Sequence, residues 1–257
     1  MYEAMMIAAS GLQNQQRRLD TIANNVANVN SAAFKSARLD FKDALYTAGI
    51  VPARPRTPGG NQQKGHGVMV AGIAKDFSIG NIQKTDRPLD AAIEGEGFFE
   101  LGDGDGNIVY TRNGAFNQSA EEDGDYLVNG EGLYVLNSDG NRIMIPYGTD
   151  TISVNTDGSI TFTAFGQETT VSLGVYTFRN ITGLLSMGNG TYAETVASGE
   201  KLPAGGVVIR QGTIEGSNVN LPEEMTRLIR SQRTFQLASR ALKTADEMEG
   251  IANNMKR

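Results

Sequence analysis

Both ends of the chain carry apolar residues at seven-residue intervals, and this pattern limits what the chain can fold into more than any other feature. Met5, Leu12, Leu19 and Val26 are each seven apart, and Ala8, Gln15, Ile22 and Val29 follow three residues behind them. This is an a/d seam of the coiled-coil type, interrupted by one polar residue, Gln15. It predicts a helix over about residues 3–28, on the order of 40 Å long at a rise of about 1.5 Å per residue. Leu221, Leu228, Phe235 and Leu242 repeat the interval at the other end, with Met225, Ala238, Ala245 and Ala252 on or beside that face. Asn220 stands three residues before Glu223, an asparagine version of a helix-capping pattern, and Pro222 falls in the first turn, where its missing N–H costs least. A second long helix is therefore expected from Leu221 towards Asn253, with Gly250 as a weak point.

Such helices need partners. Burying a stripe of about eight apolar side chains gains on the order of 10–20 kcal/mol gross. Ordering a thirty-residue helix costs about 1–2 kcal/mol per residue in backbone entropy, so one seam does not clearly stand alone. The two ends can pair with each other as a hairpin within one chain, or with copies of the chain in a polymer; periodicity allows both. The run Asn24, Asn25, Asn28 and Asn30 favours assembly, because asparagine is a poor helix former and its carboxamide both donates and accepts across a contact. Asn24 and Asn28 share a face at i, i+4. The competing reading is helix termination, since asparagine tolerates the left-handed residue at a helix end. The expected interface is Met5, Leu12, Leu19, Ile22, Asn24, Asn25, Val26 and Asn28 with Met225, Leu228, Gln232, Phe235, Leu242 and Ala245.

Between the ends the period changes. Residues 47–67 contain Pro52, Pro55, Pro58, Gly59, Gly60, Gly65 and Gly67 and read as an extended or flexible arm. From about Val68 to Arg210 short β-rich runs follow (107–112, 133–137, 151–155 and 159–163), punctuated by Asn113-Gly114, Asp123-Gly124, Asn129-Gly130, Asp139-Gly140 and Asp157-Gly158. Those pairs suit the positive φ angles of type I′ hairpins. The fold class is α+β: long terminal helices pairing as a coiled-coil-like layer around a β-rich middle. By position, 1–30 is an assembly helix and 31–80 a connecting segment with the arm. Residues 81–205 form a β-rich outer domain, 206–220 a return segment and 221–257 the second assembly helix.

Charge narrows the function further. Of the net −6, residues 1–30 contribute zero and 221–257 contribute +2, leaving −8 in the middle. An acidic middle argues against a nucleic-acid surface, which needs clustered Lys and Arg, while near-neutral ends can pack on copies of themselves. Cysteine is absent, which removes disulfides, thiolate metal sites and a cysteine nucleophile. No apolar stretch approaches a membrane span, and residues 1–10 lack the basic start of a cleaved signal.

Leu19-Asp20-Thr21-Ile22-Ala23-Asn24-Asn25-Val26-Ala27-Asn28-Val29-Asn30, followed by Phe34-Lys35, resembles the N-terminal signature of the flagellar rod and hook family. Glu215-Gly216-Ser217-Asn218-Val219-Asn220, then Glu223-Glu224-Met225, Gln232-Arg233, Phe235 and Ala245-Asp246, is similar to its C-terminal signature. Arg87-Pro88-Leu89-Asp90, Gly95-Glu96-Gly97-Phe98-Phe99 and Tyr110-Thr111-Arg112-Asn113-Gly114 resemble segments entering its β domain, so the match spans essentially the whole chain in order. Length and the last two segments look most like the distal-rod members, and Glu247-Met248-Glu249-Gly250 resembles the proximal-rod members. The resemblance implies a non-enzymatic subunit of the basal-body rod that self-associates into a helical tube transmitting motor torque. Both termini would form inner layers, with the β domain outward. It also implies other rod proteins and the hook protein as neighbours, a possible contact with the surrounding ring bushing, and export through the flagellar type III apparatus without a cleaved signal. A proximal-rod or hook-type subunit is the next reading, and a secreted β-rich adhesin the one after. Two departures from the family stand out: Ala32 and Ala33 stand where Thr and Gly often precede the aromatic, and Ala238 where asparagine is frequent. Without glycine, a positive-φ turn is not expected at 33, and the first helix should continue or bend differently.

Motifs for chemistry fall short, and no catalytic, cofactor or metal residues are assigned. Asp103-Gly104-Asp105-Gly106-Asn107 starts like a calcium loop, but Ile108 takes the glycine position and Gly114 the glutamate position, so a hairpin turn is expected. Gly95, Gly97 and Glu100 lack the third glycine of a dinucleotide loop. His66, the single histidine, lies in the arm, and a Ser-His-Asp arrangement there would need that mobile position held rigidly. Glu121, Glu122, Asp123 and Asp125 read as a solvated loop.

Overall fold

A computed structural model of the protein describes residues 2–43, 46–48, 63–65, 68–104 and 106–255. The fold is α+β, with helix α1 at Tyr2–Ala27, helix α2 at Leu221–Asn254 and a β-rich region between them. The chain forms two compact units, one of Met1–Ala27, Ala37–Lys75 and Asn220–Arg257, the other of Asn28–Ser36 and Asp76–Val219. Most of the proline- and glycine-rich arm, with His66, lies outside the described residues.

In the first unit α1 packs against α2 and also against a two-stranded antiparallel sheet of Ala37–Asp43 and Val68–Lys75. That hairpin continues into a second pair, Tyr46–Ala48 with Gln63–Gly65. Helix α2 begins where the capping pattern places it: the Glu223 N–H donates to Asn220 Oδ1 at 3.4 Å, and the Glu224 N–H to the Asn220 carbonyl at 3.0 Å. The reciprocal half of the capping box is absent, because Glu223 and Glu224 instead accept from Arg227 one turn on. Gly250 does not break α2, which runs through it to Asn254. A Cβ at Gly250 would meet nothing within 4 Å. Gly250→Ala should therefore stabilise α2 by about 0.8–1 kcal/mol, visible as slower fraying in helical circular dichroism on heating.

The second unit is built on a ten-stranded sheet, a three-stranded antiparallel sheet over 149–172, and two short pairs. Its main core gathers Ile93, Phe99, Leu101, Phe116, Val135 and Phe162 with their neighbours, while Phe98, Tyr110, Tyr176, Phe178 and Tyr192 form a second, aromatic cluster. In that cluster Tyr110 and Phe178 meet edge to face at 4.9 Å, and Phe98 and Tyr192 at 5.7 Å, a T-shaped geometry that ring quadrupoles favour.

The turn chemistry differs from the expectation. Gly140 and Gly158 do have positive φ, but their aspartates do not, and the Asn137 and Asn155 N–H groups reach the Asn141 and Ser159 carbonyls. These are longer loops with one left-handed glycine, since a type I′ turn needs positive φ at both central residues. Gly114 and Gly130 lack positive φ altogether; at Gly114 a Cβ would lie 1.7 Å from the Ala91 carbonyl oxygen, so glycine is required there for close approach. Turns with both central residues at positive φ occur instead at Phe165-Gly166 (49° and 78°) and Asn189-Gly190 (49° and 76°). Phe98–Gly102 and Ile108–Thr111 pair antiparallel, with the Asp103 N–H bonding the Asn107 carbonyl.

The expectation at residue 33 is overturned. Helix α1 stops at Ala27 and Ala33 adopts φ +53° in a buried turn. Its N–H donates to the Glu215 carbonyl at 2.7 Å, and that tertiary bond holds a conformation that costs an alanine roughly 1–2 kcal/mol.

Candidate assembly interface

Helix α1 packs along α2, and polar side chains meet across that contact. Gln15 Nε2 donates to Ser231 Oγ at 2.9 Å, with Ser231 almost fully buried. At the far end of the contact Asn25 Nδ2 reaches Glu224 Oε2 at 3.4 Å. A polar residue in a seam needs a polar partner opposite, and this pairing fixes the register of the two helices.

The seam residues of α1 are covered to different degrees: Ile22 is buried, while Met5, Leu12, Leu19 and Val26 are half-buried. On α2, Leu228, Phe235 and Leu242 are half-buried, but Met225, Gln232 and Ala245 are exposed. Beyond these, Ile229, Leu237, Met248 and Ile251 are more than half exposed and lie on roughly the opposite side of α2, at about 3.6 residues per turn. Away from α1, helix α2 thus exposes four large apolar side chains, interspersed with Arg230, Arg233, Arg240 and Glu247.

Of the asparagines, Asn25 is the buried one, at 1% exposure. Within the chain, its Nδ2 donates to the Ala37 carbonyl and its Oδ1 accepts the Ala37 N–H, both at 2.9 Å, as a strand partner would. Asn24 is exposed on the helix, and Asn28 lies past its end, so the two do not share a helical face as expected. Asn14, also buried, donates to the Val68 carbonyl and ties α1 to the hairpin.

A second cluster was not anticipated as a site, although its members sit in the signature segments. In the β unit Lys35, Arg112 and Glu215 converge, each with at most 2% exposure. Lys35 Nζ lies 2.6 Å from Glu215 Oε1, and Arg112 Nε 2.8 Å from Glu215 Oε2. Backbone carbonyls supply further acceptors: Ser78 for Lys35, and Ile93, Gly95 and Gly97 for Arg112. Gly80 N–H completes Glu215 Oε1 at 2.8 Å. Next to it, Asn218 accepts the Ser36 N–H and donates to the Asp76 carbonyl, while its own N–H meets the Phe34 carbonyl. Segments far apart in the chain thus share one buried polar network. The sequence signal for it was a lysine, an arginine and a glutamate inside otherwise apolar or glycine-rich motifs.

Burial disfavours both partners' charges. It holds the Lys35 amine below its ordinary value, with Glu215 opposing and Arg112 reinforcing the shift. Burial alone would raise the Glu215 carboxyl, but Arg112, the Gly80 N–H and Lys35 together hold it below its ordinary 4.5. A depressed carboxyl stabilises the fold above its unfolded value, and that contribution is lost as pH falls through the folded value. The urea midpoint of the β unit should accordingly drop as pH falls below 4.5, and Glu215→Gln should lack that part of the acid limb. For Lys35 the unfolded state binds the extra proton between its folded value and 10.5, so there stability rises with pH.

Comparison with known proteins agrees with these segments. The family model described as "Flagella basal body rod protein" matches residues 5–35, "Flagellar hook protein FlgE/F/G D1 domain" matches 92–162, and "Flagellar basal body rod FlgEFG protein C-terminal" matches 210–255. The chain is 36% identical to the flagellar basal-body rod protein FlgG of Borreliella burgdorferi and 36% to that of Bacillus subtilis, covering 100% of both chains in each case. It is 31% identical, again over both full chains, to the flagellar hook-basal body complex protein FlhP of Bacillus subtilis.

Proposed function

The chain belongs to the flagellar basal-body rod family as a structural subunit, and from that premise we propose that it is a distal-rod subunit whose copies join through α1 and α2 into a helical tube that carries torque. The observation that carries this reading is the set of large apolar side chains that α2 leaves exposed away from α1. With α1 on one side, Ile229, Leu237, Met248 and Ile251 remain available to a neighbouring copy, alongside Arg230, Arg233 and Arg240. Coiled-coil-like packing of α1 with α2 supplies the layer on which copies stack, with Met225, Gln232 and Ala245 available for contacts between them. Other rod proteins and the hook protein are its axial neighbours, the ring bushing a lateral one, and the flagellar type III apparatus its export route.

The test compares limited proteolysis of dilute monomer with that of purified basal bodies. Cleavage within 2–27 and 221–255 should be rapid in the monomer and at least about tenfold slower in rods; equal protection in both states would remove the reading. Antibody labelling along the basal body separates a distal from a proximal or hook position.

A further inference from the structure

We propose that Lys35, Glu215 and Asn218 form a latch that clasps residues 28–36 onto the β unit and opens without the rest of that unit unfolding, so the backbone leaving α1 is ordered only while the C-terminal signature segment is docked. Segment 28–36 contributes no strand, and among the described residues neither core cluster includes one of its side chains. Its attachment instead converges on a few residues. Ala33 N–H and Lys35 Nζ bond the backbone and side chain of Glu215, Phe34 O and Ser36 N bond Asn218, and the Ser36 carbonyl accepts from Asp76. Releasing the segment leaves both apolar cores as they are, which is the condition for local opening well below the global unfolding free energy.

Two features lower the cost of that opening. The left-handed Ala33 is strained, and release relaxes it. The closed triad also holds two cations against one carboxylate, so that withdrawing Lys35 into water leaves Arg112 and Glu215 as a balanced pair at 2.8 Å. Arg112 stays held by three backbone carbonyls in either state. Strain and excess charge are thus concentrated in the segment that can leave.

Hydrogen exchange of the full chain, read by mass spectrometry and by resolved amides at low urea, tests the latch. The Ala33 and Asn218 amides should exchange about a hundredfold faster than those of Leu127 and Ile143, which bond within the sheet region, and with a smaller urea dependence. Lys35→Ala should speed exchange in 28–36 about tenfold further while Leu127 and Ile143 change less than about twofold. Asn218→Ala, which leaves the triad in place, should do the same and serves if Lys35→Ala does not fold. Ala33 exchanging in step with Leu127 and Ile143 in the parent, or Asn218→Ala accelerating all of them alike, would show one cooperative unit and overturn the latch.

Discussion

Glu215→Ala is expected to cost the β unit about 3–5 kcal/mol, because it leaves Arg112, buried whether or not Lys35 withdraws, with no counter-ion. The loss is much larger than that of an exposed pair such as Arg210 with Glu94, whose removal should change stability by less than about 1 kcal/mol. Desolvation explains the difference: an exposed cation regains water when its partner goes, and a buried one does not. Chemical denaturation of the two variants side by side measures the contrast directly. A Glu215→Ala midpoint close to that of the parent would mean that water reaches the triad.

Ile22→Asp is the second large effect. Ile22 is 5% exposed in the α1 seam, and an unpaired carboxylate there should cost the helical unit about 3–5 kcal/mol. Leu228→Asp and Leu19→Asp act at half-buried positions, where part of the charge can reach water, and should cost less, about 2–3 kcal/mol. In each case the β unit should melt as in the parent, since its cores contain no residue of α1 or α2 among those described. Cells carrying Ile22→Asp should make a stable protein but no rods, scored by motility and by imaging of basal bodies. Rods of normal length from that variant would refute the seam.

The helices were legible because their signal is local and periodic. Seven-residue spacing and an asparagine before an acidic turn place Leu221 at the start of α2, and the structure agrees at both helices to within a residue or two. Gln15 was visible as a break in the seam, whereas its partner Ser231 was not, because a serine on a polar helix carries no mark of what it faces. The asparagine run was legible as unusual, yet which member is buried depends on a strand twelve residues away: Asn25 bonds Ala37, and Asn24 does not.

The sequence by itself therefore determined the element types at both ends, the β character of the middle and, through motifs spread along the whole chain, the family. Only the tertiary structure decided that Lys35, Arg112 and Glu215 meet, that Ala33 turns left-handed, and that Ile229, Leu237, Met248 and Ile251 of α2 stay exposed. The physical reason is range. Helix periodicity and turn propensity are set by neighbours a few residues apart, while a buried ion network joins residues 180 apart in the chain, and its desolvation is settled only when the surrounding backbone closes over it.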